Sequence, residues 1–383
     1  MPTIVAKRVS NYELFYDFVF VFVFATSRLT TMLHQDHLTF GVFLNFIISS
    51  ILVLFIWMQQ TFYLNKYGER DRLDIYTNIA AMFVIGNFAS IIGKLNYTTV
   101  DVLVYNGLLI LAYALIVYQY YMRGRQQGFT QDIKVSMWTL TGAILGFALL
   151  TAILLILKQV ADAGLAHFLS QYFYVAWLLP VIFPFFFYKR FDETLMNFPH
   201  LVERCQLITI ISFGETVLGI IQTYPLADYP IAGFAFFVGM SMMFIAYISQ
   251  TYLNIEHHQI TRAHGLVASY VLLVIGVNLM TVGIEFFANH HHVETGFVLF
   301  LAALYIYYVG LLSTSIYNRE TYRISRRSLL EYATWLLAFS LIFYVLRHDL
   351  VFLSIAYAVF GYIMTRVGFL QRRRAREAAG ITL

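Results

Sequence analysis

Charge is scarce in this 383-residue chain: 12% of its residues are Asp, Glu, Lys or Arg, while 60% are hydrophobic. A soluble domain carries about 25% charged and about 45–50% apolar residues. So little charge cannot cover so large an apolar content with a water-facing shell, which excludes a soluble globular protein and leaves lipid as the solvent. Proline is scarce too, at 6 residues. That suits long helices and argues against the short strands of an outer-membrane barrel. The single cysteine, Cys205, excludes an internal disulfide and a multi-cysteine metal site. A phosphate-cradling glycine loop, a GxSxG elbow and an HExxH pair are missing, so the chain encodes no soluble nucleotide-driven motor.

What is present is a series of apolar runs. A hydrocarbon core about 30 Å thick takes about 20 helical residues. Twelve runs are read as spans: 12–33, 38–63, 75–95, 98–122, 135–157, 164–188, 201–224, 230–253, 263–288, 293–315, 328–346 and 350–370. Lys7 and Arg8 precede the first run as in a secretory signal, but Asp17 interrupts it and Arg28 follows closely, which points to a retained span. Basic residues stay on the cytoplasmic side of short loops. With twelve spans, 21 of the 25 Lys and Arg fall on one side; Lys94, Lys158 and Arg347 fall on the other, and Arg28 lies within the first span. A wrong span count scrambles such an alternation. The expectation is an all-α integral membrane protein of twelve transmembrane helices with both termini cytosolic.

The chain also matches itself at an offset of 190 residues. Gln60-Thr61-Phe62 recurs as Gln250-Thr251-Tyr252, Val84-Ile85-Gly86 as Val274-Ile275-Gly276, Glu13 as Glu203 and Gly93 as Gly283. This predicts two pseudo-repeated six-helix halves, 1–190 and 191–371, followed by a basic cytosolic tail, 372–383. Six spans per half make the repeat parallel, as in the two halves of some transporters, where substrate sites lie between the halves.

Charges inside spans are costly and mark candidate sites. At 100° per residue, Asp17 lies about 40° and Arg28 about 60° from Glu13, so all three share one helix face. Arg204 and Glu215 lie about 20° apart around the seventh span and about 16 Å apart along it. The repeat register brings Arg204 opposite Leu14 and Glu215 opposite Ala25, each three residues from the opposite charge on the first span. The predicted pairs are Asp17 with Arg204 and Arg28 with Glu215, across facing first and seventh spans. Three readings stay open: structural pairs that hold the helices together, an intramembrane charged site for an ion or substrate, or snorkelling ends, for which Glu13, Glu203 and Arg204 are close enough to the interface. Glu13, Glu203, His200 and His264 stand at the cytosolic mouth of that site.

His264 and Glu285, with Asp17 and Glu215, offer the steps of a proton path, because histidine titrates near neutral pH; a histidine at a membrane edge is more often simply interfacial. Asn45, Asn78, Asn87, Asn106 and Asn278 either line a polar cavity or bond between helices. The runs His290-His291-His292 with Glu294, and Glu256-His257-His258, match no structural zinc spacing, so neither metal nor cofactor is expected. Gly142 and Gly146 form a GxxxG pattern that permits close helix approach, and Pro180 and Pro184 predict a kinked sixth span. Arg372, Arg373, Arg374 and Arg376 directly follow the last span, where the fitting partner is anionic lipid and not nucleic acid.

The run Glu13-Leu14-Phe15-Tyr16-Asp17-Phe18-Val19-Phe20-Val21 resembles the opening signature of the bacterial low-temperature-requirement A (LtrA) family. So does His200-Leu201-Val202-Glu203-Arg204, followed by Thr209-Ile210-Ile211 and Gly214-Glu215. The motif positions are Glu13, Asp17, His200, Glu203, Arg204, Gly214 and Glu215, with His264 a looser match. The chain departs from the pattern at Tyr252-Leu253-Asn254, where members often carry an acidic residue. The resemblance implies a bacterial inner-membrane protein tied to growth in the cold, without a settled activity. A secondary transporter or ion-coupled permease for an unknown small molecule or ion is the leading expectation. A membrane-embedded enzyme acting on a lipid or isoprenoid head group, and a non-catalytic scaffold needed in the cold, are the alternatives.

Overall fold

The computed structural model describes residues 7–25, 33, 39–92, 99–160, 164–165, 168, 172–288 and 293–381. Its described residues form twelve α-helices and no strand; an isolated antiparallel bridge joins Ile255 to Asn318. In chain order the helices are α1 Asn11–Ala25, α2 Phe40–Tyr67, α3 Arg72–Ile92, α4 Thr99–Gln127, α5 Gln131–Val160 and α6 Leu178–Ile182. They continue as α7 Phe198–Thr223, α8 Pro230–Ile248, α9 His264–Phe286, α10 Val293–Ser313, α11 Arg326–Leu346 and α12 Leu350–Ala378. Nine of them, α2, α4, α5 and α7 to α12, are long and apolar enough to cross a membrane. The chain is a multi-pass helical membrane protein.

The three other expected spans take different forms among the described residues. Helix α1 is described over 15 residues. Helix α3 has 21 residues but carries Asp74, Asn78 and Asn87. The expected sixth span is broken: a 3-10 turn over Phe173–Trp177, the single-turn α6, then a second 3-10 stretch over Phe183–Arg190. Pro180 and Pro184 fall in α6 and the second stretch, and each removes a backbone donor.

The chain packs as two compact units, Met1–Ile208 with His258–His264, and Thr209–His257 with Gly265–Leu383. The division falls inside α7. In the first unit α2 carries the core, with buried side chains from Asn45 through Tyr67. Its N-terminus is capped by Thr39, whose hydroxyl accepts from Val42 N at 3.3 Å. At its other end Lys7 Nζ donates to the carbonyls of Leu64 (2.6 Å) and Gly68 (2.7 Å), a cation placed where the helix leaves acceptors unpaired. The GxxxG pattern of α5 works as a contact surface. A methyl on Gly142 would meet the Phe183 ring at 2.5 Å, and one on Gly146 would meet Pro180 Cγ at 2.9 Å.

The second unit is held by backbone-close pairs. A methyl on Gly276 of α9 would lie 2.8 Å from Tyr307 N of α10, and one on Gly283 would lie 2.8 Å from Phe300 N. From the α10 side, a methyl on Gly310 would lie 2.9 Å from the Ser269 carbonyl oxygen. Helix α8 runs on into a π-helical turn, Ser249–Asn254. There Gln250 Nε2 donates to Asn318 Oδ1 (2.8 Å) and Thr314 Oγ1 (3.2 Å), while its oxygen accepts from Asn254 (2.9 Å). The neutral Asn254 is therefore an amide link in a hydrogen-bonded chain. Residues 372–378, read from the sequence as a tail, continue α12 as helix.

Candidate functional site

Two charges spaced four apart on α1 meet two groups spaced four apart on α7. Glu13 and Asp17 share one α1 face at the i, i+4 spacing, and His200 and Arg204 do the same on α7. His200 Nε2 lies 3.4 Å from Glu13 Oε1. One turn further on, Arg204 Nη2 pairs with Asp17 Oδ1, and its Nε donates to Asp17 Oδ2 at 3.2 Å. Both rungs join residues 187 apart, so the two helices run in the same direction through this stretch. All four side chains are fully buried. The whole ladder lies within the first unit.

Local sequence explains how α7 presents its two groups. Asn197 caps the helix: its side-chain oxygen accepts from His200 N at 3.2 Å, and its carbonyl accepts from Leu201 N at 3.1 Å. Pro199 falls in the first turn, where a missing N–H costs nothing. His200 is thus fixed at the first turn and Arg204 one turn later.

Helix α2 completes both rungs. Trp57 Nε1 donates to Asp17 Oδ1 at 2.7 Å, and the Arg204 guanidinium stands over the Trp57 ring, 5.8 Å from its centre. Asn65 Nδ2 lies 2.9 Å from His200 Nδ1. Ser10, from the segment before α1, donates both N (2.8 Å) and Oγ (2.6 Å) to Glu13 Oε2. The ladder is still incompletely satisfied: among the described residues Arg204 Nη1, His200 Nε2 and Glu13 Oε1 complete no hydrogen bond. The His200–Glu13 contact is an approach at ion-pair distance without hydrogen-bond geometry.

The predicted residues divide sharply. Asp17, Arg204, Glu13 and His200 come together. Glu203 does not: it is exposed, on the face of α7 turned about 100° from Arg204. Arg28 lies outside the described residues, as do Gly93 and His290-His291-His292. Glu215 is half-buried on the part of α7 that belongs to the second unit. There Thr216 Oγ1 shares a hydrogen bond with Thr281 (2.7 Å), and a methyl on Gly219 would stand 3.0 Å from Glu285 Oε1. His264 stands apart from the ladder in an aromatic cage of Phe62, Phe191, Phe185 and Tyr188, with ring centres 4.9–6.5 Å away. A cavity of about 10 Å³ adjoins it, at the lower limit for one water.

The chain also matches a known family. The family model of the bacterial low temperature requirement A protein (LtrA) matches residues 8–365. The chain belongs to the LtrA family. No curated protein and no solved structure matches it. Both rungs of this LtrA chain lie inside the matched residues, and so do Trp57 and Asn65 from α2.

Sequence reasoning missed those two residues in the LtrA site. Trp57 carries no signal in an apolar run. Asn65, a polar residue in the last turn of α2, was a legible one. Arg123 reads as a loop charge in the sequence. The structure buries it in a carboxylate cradle, with Nη1 2.6 Å from Glu69, and Nη2 3.3 Å from Asp71 and 3.2 Å from Asp74. Tyr63 Oη donates to Asp74 Oδ1 at 2.9 Å, and Lys66 pairs with Asp132 at 2.8 Å. Among the described residues no three His, Cys, Asp or Glu side chains stand where they could hold a metal ion.

Proposed function

We propose that this LtrA-family chain is a proton-coupled secondary transporter or permease of the bacterial inner membrane. The buried ladder of α1 and α7 is its ion-responsive element. The two six-helix halves and cytosolic termini expected from the sequence belong to this reading. The observation that supports it most is Arg204: a fully buried guanidinium whose Nη1 has no partner among the described residues. A buried charge is costly unless each of its donors is met. An incompletely met one is suited to take a further polar or anionic partner in part of a working cycle.

Within the ladder, Glu13 is the proposed proton carrier, and it takes up a proton only in a state of the cycle that parts it from the two Ser10 donors and the His200 ring. The Asn65 amide donates to His200 Nδ1, so the ring presents Nε2–H toward Glu13; a second ring proton would point into the Asn65 NH₂. Protonation of Glu13 cancels its attraction for that N–H and for Ser10, and loosens the first rung while Asp17–Arg204 holds the second.

A second reading is favoured by one fact: all four side chains are fully buried. On this reading the ladder is a static clamp between α1 and α7. Solid-supported-membrane electrophysiology on proteoliposomes separates the two, using pH steps and a panel of small organic and inorganic ions. Transport predicts currents that follow the pH step in the unaltered protein and lose that dependence in Glu13→Gln. Absence of current in the folded protein, together with a carboxyl infrared band unchanged from acid to alkaline buffer, would leave the clamp.

A further inference from the structure

The C-terminal end of α12 builds a cavity of about 530 Å³ in the second unit, within the size range of small-ligand sites. Arg372, Arg373 and Arg376 line it with Glu377, and Phe369 and Ile381 form an apolar part of its wall. Three arginines against one glutamate leave a net charge of +2. Arg374, the fourth basic residue of the run, is not part of it: its Nη1 is held by both carboxylate oxygens of Glu331, at 2.8 and 2.9 Å.

Arg372 is the anchor. It is only 9% exposed, its Nη2 donates to the Ser249 carbonyl at 3.3 Å, and its guanidinium lies 5.5 Å from the Phe369 ring centre. Its Nε has no partner among the described residues. A guanidinium anchored in this way, with one N–H still unmet, keeps donor capacity for an anion. Arg376 is steadied by Tyr322, whose hydroxyl accepts from Arg376 Nε at 3.1 Å. Arg373 is the adjustable member, tied to Glu377 at 2.8 Å on the exposed side.

A helix C-terminus ordinarily disfavours an anion because its last carbonyls are unpaired. Here they are closed off. Gly380 takes a left-handed backbone (φ 69°), which lets Ala379, Gly380 and Ile381 donate their N–H groups to Ala375, Arg376 and Glu377 carbonyls. The cap engages three of the last carbonyls, which weakens their repulsion of an anion, and swings Ile381 beside the arginines.

We propose that this cavity binds the phosphate of an anionic phospholipid headgroup, with Arg372, Arg373 and Arg376 on the phosphate and Phe369 and Ile381 against the start of the acyl chains. The apolar run of α12 ends at Leu370, so Arg372 stands at headgroup height. The apolar wall distinguishes a lipid from free phosphate. This inference does not depend on the transport reading.

Native mass spectrometry of the full chain, released from nanodiscs of phosphatidylglycerol mixed with phosphatidylcholine, tests it. Each arginine near an anionic headgroup is worth about fivefold in affinity. Arg373→Gln, at an exposed side chain, is expected to lower retained phosphatidylglycerol about fivefold, and the Arg372→Gln/Arg373→Gln/Arg376→Gln variant about a hundredfold. Arg374→Gln is expected to leave retention unchanged. Equal losses in Arg374→Gln and Arg373→Gln would overturn the proposal, as would equal retention of the two lipids. Displacement of phosphatidylglycerol by inorganic phosphate at matched concentration would overturn it in favour of a free-anion site. Arg373→Gln keeps the test valid if the triple variant does not fold.

Discussion

Asn65 fixes the tautomer of His200. Its amide is pinned at both ends by the main chain of Asn197: Nδ2 donates to the Asn197 carbonyl and Oδ1 accepts from Asn197 N, each at 2.9 Å. The NH₂ end is therefore the end that faces His200 Nδ1. An amide NH₂ can only donate, so Nδ1 is the acceptor and the ring proton sits on Nε2, facing Glu13.

This has a spectroscopic consequence. In ¹⁵N-histidine-labelled protein at neutral pH, His200 is expected as the Nε2–H form. In Asn65→Leu, with the donor removed, the two tautomers are expected to mix, at a stability cost of about 1–3 kcal/mol for the unmet groups left on Asn197 and His200. A pure Nδ1–H form in the unaltered protein would contradict the hydrogen-bond direction and, with it, the assignment of Glu13 as proton carrier.

The second rung predicts strong coupling. Asp17→Asn leaves Arg204 charged and buried, and Arg204→Gln leaves Asp17 so; each is expected to cost about 3–5 kcal/mol in denaturant unfolding in micelles. The double variant buries no net charge and is expected to cost less than the sum by about 0.5–3 kcal/mol. Additive costs would show that the pair carries no interaction energy of its own.

Two glycines 190 residues apart are expected to respond in opposite directions. Gly276 faces the Tyr307 backbone, so Gly276→Ala must part α9 from α10 and is expected to cost about 1–3 kcal/mol. Its counterpart in the 190-residue register, Gly86, has open space where a methyl would stand, with nothing within 4 Å. Gly86→Ala is expected to stabilise α3 by about 0.5–1 kcal/mol. Thermal unfolding of the two variants side by side is the measurement.

His257, in the loop after α8, carries a pH dependence. Burial is the main cause that holds its pKa below the ordinary 6.5, opposed by hydrogen bonding to the Tyr252 and Thr251 backbone and reinforced by Arg319. A depressed pKa means that the unfolded chain binds the proton more readily. Its contribution to stability is thus complete above pH 6.5 and lost as pH falls from there through the lower folded value. His257→Asn is expected to flatten the melting temperature over that window, and an unchanged slope would move the cause to another group.

The sequence by itself determined the solvent, the helices and much of the ladder. Scarce charge and long apolar runs exclude a water-facing shell. The i, i+4 spacing of Glu13 with Asp17 and of His200 with Arg204 follows from 3.6 residues per turn, and the 190-residue offset in the sequence put Arg204 within three residues of Asp17, its observed partner. Tertiary structure decided the rest. Helical periodicity says which residues share a face, but not which neighbour covers it. Only packing against α2 brings Trp57 to Asp17 and Asn65 to His200. Packing also turns Glu203 outward while Arg204 beside it is buried, and it closes Glu69, Asp71 and Asp74 around an arginine that reads as a loop charge. Those outcomes depend on what lies across the gap from each side chain, and that information belongs to contacts between residues far apart in the chain.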